Sequence, residues 1–196
     1  MKLLKMLGLF VMAAASLMAF AGSASAQTLT SPTNVAYFGE ITESLDPGTS
    51  ALLKAGFAEI TCTSSTVSGK VTTNNSTEAS GEITSVSFSN CGSATVDTIN
   101  NKGTLKVTHG THVISGTGVE VTTSVAGTSC VYGMGTGTTL GTATNTQYDD
   151  EGVFRDRVTT DHSAKLPKVS GGFLCANPAT WTANYVITKP TETFAD

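Results

Sequence analysis

Charged and aromatic residues are scarce in this chain of 196 residues: 13% are charged, 7% are aromatic and one is tryptophan. Its four cysteines form no C-x-x-C pair, so the sequence has neither a zinc knuckle nor a thioredoxin-type motif. No serine has the flanking glycines of the G-x-S-x-G elbow of hydrolases. These absences predict a protein that is not an enzyme, with no catalytic residue, no cofactor and no bound metal.

Long apolar runs are also missing, except at the N-terminus. Lys2 and Lys5 precede an apolar run over 6–21, and small residues follow up to Ala26. This order is typical of a secretory signal peptide with an A-x-A cleavage site. We therefore expect residues 1–26 to be removed, and residues 27–196 to form a single secreted domain with no transmembrane segment.

The charge balance is acidic. The whole chain has 11 basic and 15 acidic residues, and loss of Lys2 and Lys5 with the signal peptide would leave a net charge of −6. No basic cluster occurs to neutralise phosphates, so nucleic acid is not expected as a partner.

Threonine is abundant, with 34 residues, and its branched side chain suits a half-exposed pleated surface. Apolar and polar residues alternate with a period of two in segments such as GTLKVTH, GVEVTTSV and TWTANYVIT, which is the pattern of strands with one buried face. About ten short strands separated by turn residues predict an all-β fold, an antiparallel β-sandwich of immunoglobulin-like or jelly-roll-like type. The prediction includes a helical turn over 49–56 and a loop or bulged edge strand over 133–146.

The four cysteines are candidates for structural disulfides. In an exported chain an even number of cysteines oxidises to disulfides by default, and Cys62, Cys91, Cys130 and Cys175 allow three pairings. Sequential strands tend to be neighbours, which favours Cys62 with Cys91 and Cys130 with Cys175.

Other polar groups carry weaker signals. His109 and His112 are three residues apart in a strand and turn, a spacing better suited to surface histidines than to a metal site. The carboxyl groups of Glu40, Glu43 and Asp46 could meet other acids in space. Trp181 is expected to fill the core. The densest acidic stretch lacks the residue order of an EF-hand loop and is expected to be a solvated hairpin; its acids are Asp149, Asp150, Glu151, Asp156 and Asp161.

Four stretches together resemble one family. They are ITCTSSTVSGKVT, EITSVSFSNCG, SCVYGMGTGTTLGT and GGFLCANPATWTANYVITKP, and their order is similar to that in the small secreted bacterial proteins called protein activators of alkane oxidation. The resemblance implies an exported, non-enzymatic accessory protein that helps cells to oxidise hydrocarbons, and it implies no catalytic residues.

Two functions follow as expectations. The first is a helper that acts at the cell surface or at a hydrocarbon interface, with hydrocarbon or cell-surface components as partners. The second is a structural or adhesive subunit that self-assembles outside the cell by pairing strand edges, with the strand-like segment over 27–42 as one candidate for that pairing.

Overall fold

The computed structural model describes residues 29–30, 36–56, 58–92, 95–125, 127–144, 157–160, 164–190 and 194–195. The expected signal peptide lies outside these residues, as do His162 and the acids Asp149, Asp150, Glu151, Asp156 and Asp161. No helix long and apolar enough to cross a membrane occurs in the described ranges.

Strands account for the regular structure of these ranges. In chain order they are β1 (Leu29–Thr30), β2 (Glu40–Leu45), β3 (Ala51–Ala55), β4 (Ala58–Cys62), β5 (Ser64–Asn74), β6 (Glu78–Ser89), β7 (Thr95–Asn101), β8 (Thr104–Thr108), β9 (Val113–Thr117), β10 (Glu120–Val125), β11 (Thr128–Gly133), β12 (Thr138–Thr144), β13 (Arg157–Thr160), β14 (Lys165–Leu166), β15 (Lys168–Gly171), β16 (Ala179–Lys189) and β17 (Phe194–Ala195).

Eight of the strands form a closed ring. Their hydrogen-bonded order is β13-β12-β9-β8-β6-β5-β2-β16, and β13 pairs with β16 to complete the circuit. All of these pairings are antiparallel. Tyr185 of β16 is opposite Leu45 of β2 on one side and opposite Val158 of β13 on the other. The ring therefore closes at β16, which pairs with β2 and with β13 over overlapping residues.

The first residues of β16 belong to a second group of strands. Ala179 and Thr180 pair with β14, and Thr180 to Thr182 pair with β3, which continues to β4. A separate four-stranded sheet has the order β15-β11-β10-β7. One buried cluster unites side chains from the ring and from both groups, including Leu53 of β3, Ile114 of β9 and Tyr132 of β11.

The all-β, antiparallel part of the prediction is confirmed, and the sandwich of immunoglobulin-like or jelly-roll-like type is not. In an open sandwich each sheet keeps two edges, whereas here the strand order of the largest sheet returns to its start. The alternation of apolar and polar residues along a strand indicates that one face is buried. It does not indicate whether the sheet closes, because closure depends on the pairing of β13 with β16.

The helical turn expected over 49–56 is wrong. Residues Ala51–Ala55 form β3 with alternating burial, Ala51, Leu53 and Ala55 being buried and Lys54 exposed. A short apolar run fits a helix or a strand equally well by pattern, and here hydrogen bonds to β4 and β16 decide the outcome. Gly56, with a φ of 68°, belongs to the β3–β4 hairpin and does not cap a helix.

The glycine- and threonine-rich stretch over 133–146 contains β12. This strand is irregular between Thr139 and Gly141, as expected of a bulge, but it pairs with β9 and β13 and so is not an edge strand. The last two residues of the 133–146 stretch lie outside the described ranges.

Both predicted disulfides are present and no cysteine is free. The bond between Cys62 and Cys91 ties the end of β4 to the segment after β6. The bond between Cys130 and Cys175 ties β11 of the four-stranded sheet to the segment before β16. Each disulfide therefore joins a strand outside the ring to a segment next to a ring strand.

Removal of either disulfide should destabilise the protein. The bonds join residues 29 and 45 positions apart, and loops of that length correspond to about 3.5 to 4 kcal/mol each in the chain-entropy account. We expect the paired substitutions Cys62→Ala with Cys91→Ala, and Cys130→Ala with Cys175→Ala, to lower the free energy of unfolding in urea by about that amount. A loss below about 1 kcal/mol in both variants would show that the disulfides do not hold the sheets together.

Candidate functional site

The interior of the ring contains an apolar cavity of about 190 Å³. Its wall includes residues from β2, β5, β6, β8, β9, β12 and β16 of the ring and from β3, β4 and β10 beside it. A closed ring of eight strands encloses a space that either side chains or one small ligand can fill. The side chains here leave part of that space empty.

Small inward residues and irregular pairing explain the empty space. Gly69 and Gly81 line the cavity with Val71 and Ala79. A Cβ atom on Gly81 would collide with the carbonyl oxygen of Lys70 on the neighbouring strand, so the close approach of β5 and β6 requires glycine at that position. Shifts in register after Ser68 and after Val71 change which residues of the two strands face inward.

One carboxyl group lies in this apolar wall. Glu43 of β2 lines the cavity and has Val67 of β5 and Ile187 of β16 as its cross-strand neighbours. Burial raises the pKa of Glu43 to about 7, because an apolar surrounding disfavours the charged form. Among the described residues, the side chain of Glu43 has no hydrogen bond and no ion pair.

A buried tyrosine lies close to this carboxyl group. The hydroxyl of Tyr185 is 2.9 Å from the hydroxyl of Ser65, and both residues are buried. Burial raises the pKa of Tyr185; the hydrogen bond with Ser65 acts in the opposite direction, and the nearby Glu43 raises the pKa further. Glu43 thus has a neutral polar neighbour in an otherwise apolar interior.

The N-terminal strand covers one end of the cavity. Leu29 of β1 is buried against Val71 and Ala79, all three of which line the cavity. The side-chain amide of Asn74 donates to the carbonyl oxygen of Leu29 at 2.6 Å and to that of Tyr37 at 3.1 Å. Pairing of β1 with β17 brings the two ends of the described chain together at this place.

Within the described residues, the three acids of the 40–46 segment lie in different surroundings. Glu40 is exposed on the outside of the ring, where its carboxylate is 3.3 Å from the ammonium group of Lys189. Glu43 faces the cavity, and the buried Asp46 follows the end of β2. Three positions along a strand place Glu40 and Glu43 on opposite faces, so spacing in sequence does not bring them together.

The two histidines and the tryptophan singled out in the sequence lie away from any metal-binding cluster in the described residues. His109 and His112 flank the turn between β8 and β9, and the buried Nδ1 atom of His109 has no hydrogen-bond partner among the described residues. No group of three or more potential metal ligands occurs in that part of the chain. Trp181, expected to fill the core, is partly buried and packs against the core cluster, with its ring centroid 6.0 Å from that of Tyr185.

Sequence reasoning missed the cavity and the separate role of Glu43, although a signal was present. In EITESL the residues Ile41, Glu43 and Leu45 share one face with a period of two, so a carboxylate on an apolar face could have been noticed. The empty space itself has no comparable signal, since it depends on register shifts between strands.

Comparisons with known proteins give no relative. No protein-family model, no curated protein and no solved structure matches the chain. An apolar space of this size can hold a small apolar molecule. Glu43 can form a hydrogen bond to a ligand that also carries a polar group.

The raised pKa of Glu43 predicts how stability depends on pH. The folded state holds the proton of this carboxyl more tightly than the unfolded state does. The stabilisation that this proton gives is complete below the ordinary pKa of 4.5, and it is lost as the pH rises through about 7. Between about pH 4 and pH 9 this loss amounts to about 3 kcal/mol. We expect Glu43→Gln to remove it, as measured by urea unfolding at several pH values.

The matched control is Glu40→Gln, which changes an exposed carboxyl of the same strand. It should keep the wild-type dependence on pH. If the wild type and Glu43→Gln lost stability equally as pH rises, the carboxyl of Glu43 would ionise in the folded protein as it does in the unfolded chain, and its placement in the apolar wall would be wrong.

Proposed function

We propose that this protein is a secreted, non-enzymatic accessory protein that binds hydrocarbon at the cell surface or at a hydrocarbon interface, in the manner that the resemblance to activators of alkane oxidation implies. The observation that carries the proposal is the apolar cavity of about 190 Å³ inside the ring. Apolar side chains make up most of the lining of this cavity, which favours an apolar occupant over water. The two disulfides suit an exported protein.

The volume of the cavity sets the size of the ligand. A dry cavity of about 150 Å³ in another protein binds benzene, so a hydrocarbon of about six carbons is a suitable probe. Its contacts would be with side chains such as Val107, Ile114 and Leu140, which line the cavity from three strands of the ring.

The surface offers a second apolar feature, near the disulfide of the four-stranded sheet. The side chain of Phe173 is 95% exposed and that of Val169 is 53% exposed. Val169 belongs to β15, and Phe173 lies between β15 and Cys175, which is bonded to Cys130 of β11. An exposed aromatic ring held on a short loop can insert into an oil–water interface, which would place the protein beside its ligand.

Assembly by strand pairing is the second candidate function. In the described ranges, β4, β7 and β15 each have one side without a paired strand. The expected donor segment is occupied within the chain, because β1 pairs with β17 and β2 pairs with β5 and β16. Polymers of the purified protein on sedimentation would favour this candidate over a soluble binder.

The test of the first candidate is hexane binding by the mature protein. Val107→Trp should fill the cavity and lower hexane binding at least about tenfold, at a cost in stability of about 1 to 3 kcal/mol from overpacking. The matched control is Lys106→Trp, because Lys106 is the exposed neighbour on the same strand. Headspace chromatography measures the bound hexane and shows whether it is recovered unchanged.

Two results would contradict the proposal. Equal hexane binding by Val107→Trp and Lys106→Trp, with both variants folded, would show that the cavity is not the binding place. Conversion of hexane to another compound by the purified protein would show that the protein is an enzyme.

A further inference from the structure

The carboxyl group of Glu43 is poorly suited to a cavity that holds only hydrocarbon. An alkane beside Glu43 would leave the carboxyl unsatisfied in an apolar interior, where an unpaired polar group is costly. The residues on either side of it, Val67 and Ile187, offer no side-chain donor. A ligand that brings its own hydrogen-bond donor would remove this cost.

The position of Glu43 limits the kind of donor. When Glu43 is ionised, a ligand carboxylate would place a second negative charge beside it, which is unfavourable. An ammonium group would have to lose its water shell with one carboxyl as its partner, and such desolvation often exceeds the gain from pairing. A hydroxyl group is neutral, donates one hydrogen bond and has a small cost of desolvation.

We propose that the cavity takes a short aliphatic alcohol, of about six carbons, whose hydroxyl donates to the carboxyl oxygen of Glu43 while its chain lies against the apolar wall that includes Val67, Ile114 and Leu140. This inference rests on the proposed function, because it assigns the ligand class of the same cavity. It also gives Glu43 a role that hydrocarbon binding alone does not require.

Other titratable groups near the cavity do not compete for this role. Lys70 and Glu82 contribute to the wall but are exposed and stand opposite each other in the register of β5 and β6. Tyr185 is buried, and its hydroxyl is engaged with Ser65. Glu43 is therefore the titratable group of the cavity wall that is open to a ligand, within the residues that the structure describes.

The experiment compares hexanol with hexane as probes for the wild-type mature protein, Glu43→Leu and Glu43→Gln. Loss of a hydrogen bond to a carboxyl group should lower the preference for hexanol over hexane at least about tenfold in Glu43→Leu. Glu43→Gln, which keeps an acceptor oxygen, should retain part of that preference. Glu40→Leu, which changes the exposed carboxyl of the same strand, should retain all of it.

A second readout follows the proton of Glu43. A hydroxyl that donates to the carboxylate favours its charged form, so hexanol should lower the pKa of Glu43 from about 7 and release protons near neutral pH. Hexane, which surrounds the carboxyl with apolar atoms and offers no hydrogen bond, disfavours the charged form and should cause proton uptake. Calorimetric titration in buffers of different ionisation enthalpy measures both signs.

The possible results separate this inference from the function on which it rests. A hexanol preference that is the same in the wild type and Glu43→Leu, with hexane still bound, overturns the role of Glu43 and leaves hydrocarbon binding intact. Failure of the folded wild type to bind either probe overturns both. Proton uptake with hexanol also contradicts the inference, since it would mean that the hydroxyl does not meet the carboxylate.

Discussion

The hydrogen bonds on both sides of β16 are the constraint on which the rest of the structure depends. Every buried backbone amide and carbonyl needs a partner, and β16 meets this requirement by pairing with β2 on one side and with β13 on the other. The two pairings overlap at Tyr185 and Val186. Because the circuit closes there, each of the eight ring strands has a paired neighbour on both sides. Closure also fixes an interior whose width is set by strand number and not by the side chains available to fill it.

The composition of the chain then determines what that interior becomes. Few aromatic residues and small inward residues such as Gly81 and Ala79 leave the ring incompletely filled. The two disulfides tie β4 and β11 to segments beside the ring, which opposes the loss of stability that a poorly filled core causes. The cavity and the positions of the disulfides thus both depend on the closed ring of eight strands.

Local pattern predicted much of the fold. Alternation in GTLKVTH and TWTANYVIT marked β8 and β16, and the neighbour rule gave both disulfide pairings, as the structure has them. It failed at β3, where a five-residue apolar run suits two kinds of structure. Closure of the sheet and the register shifts of β5 and β6 depend on contacts between residues far apart in the chain, which no local pattern encodes. For the same reason the cavity could not be predicted from the sequence, although the position of Glu43 on the apolar face of β2 could have been.

The central claim, that a small apolar molecule enters the ring, is tested most directly by methyl NMR of residues 27–196 titrated with hexane. The account predicts that the methyl signals of Val67, Val107 and Ile114, which line the cavity, shift together and saturate at one hexane per chain. The exposed methyl groups of Val169 should then follow only at higher hexane concentration. Saturable shifts confined to Val169, with the three interior residues unchanged, would show that hexane binds the surface and that the cavity stays empty.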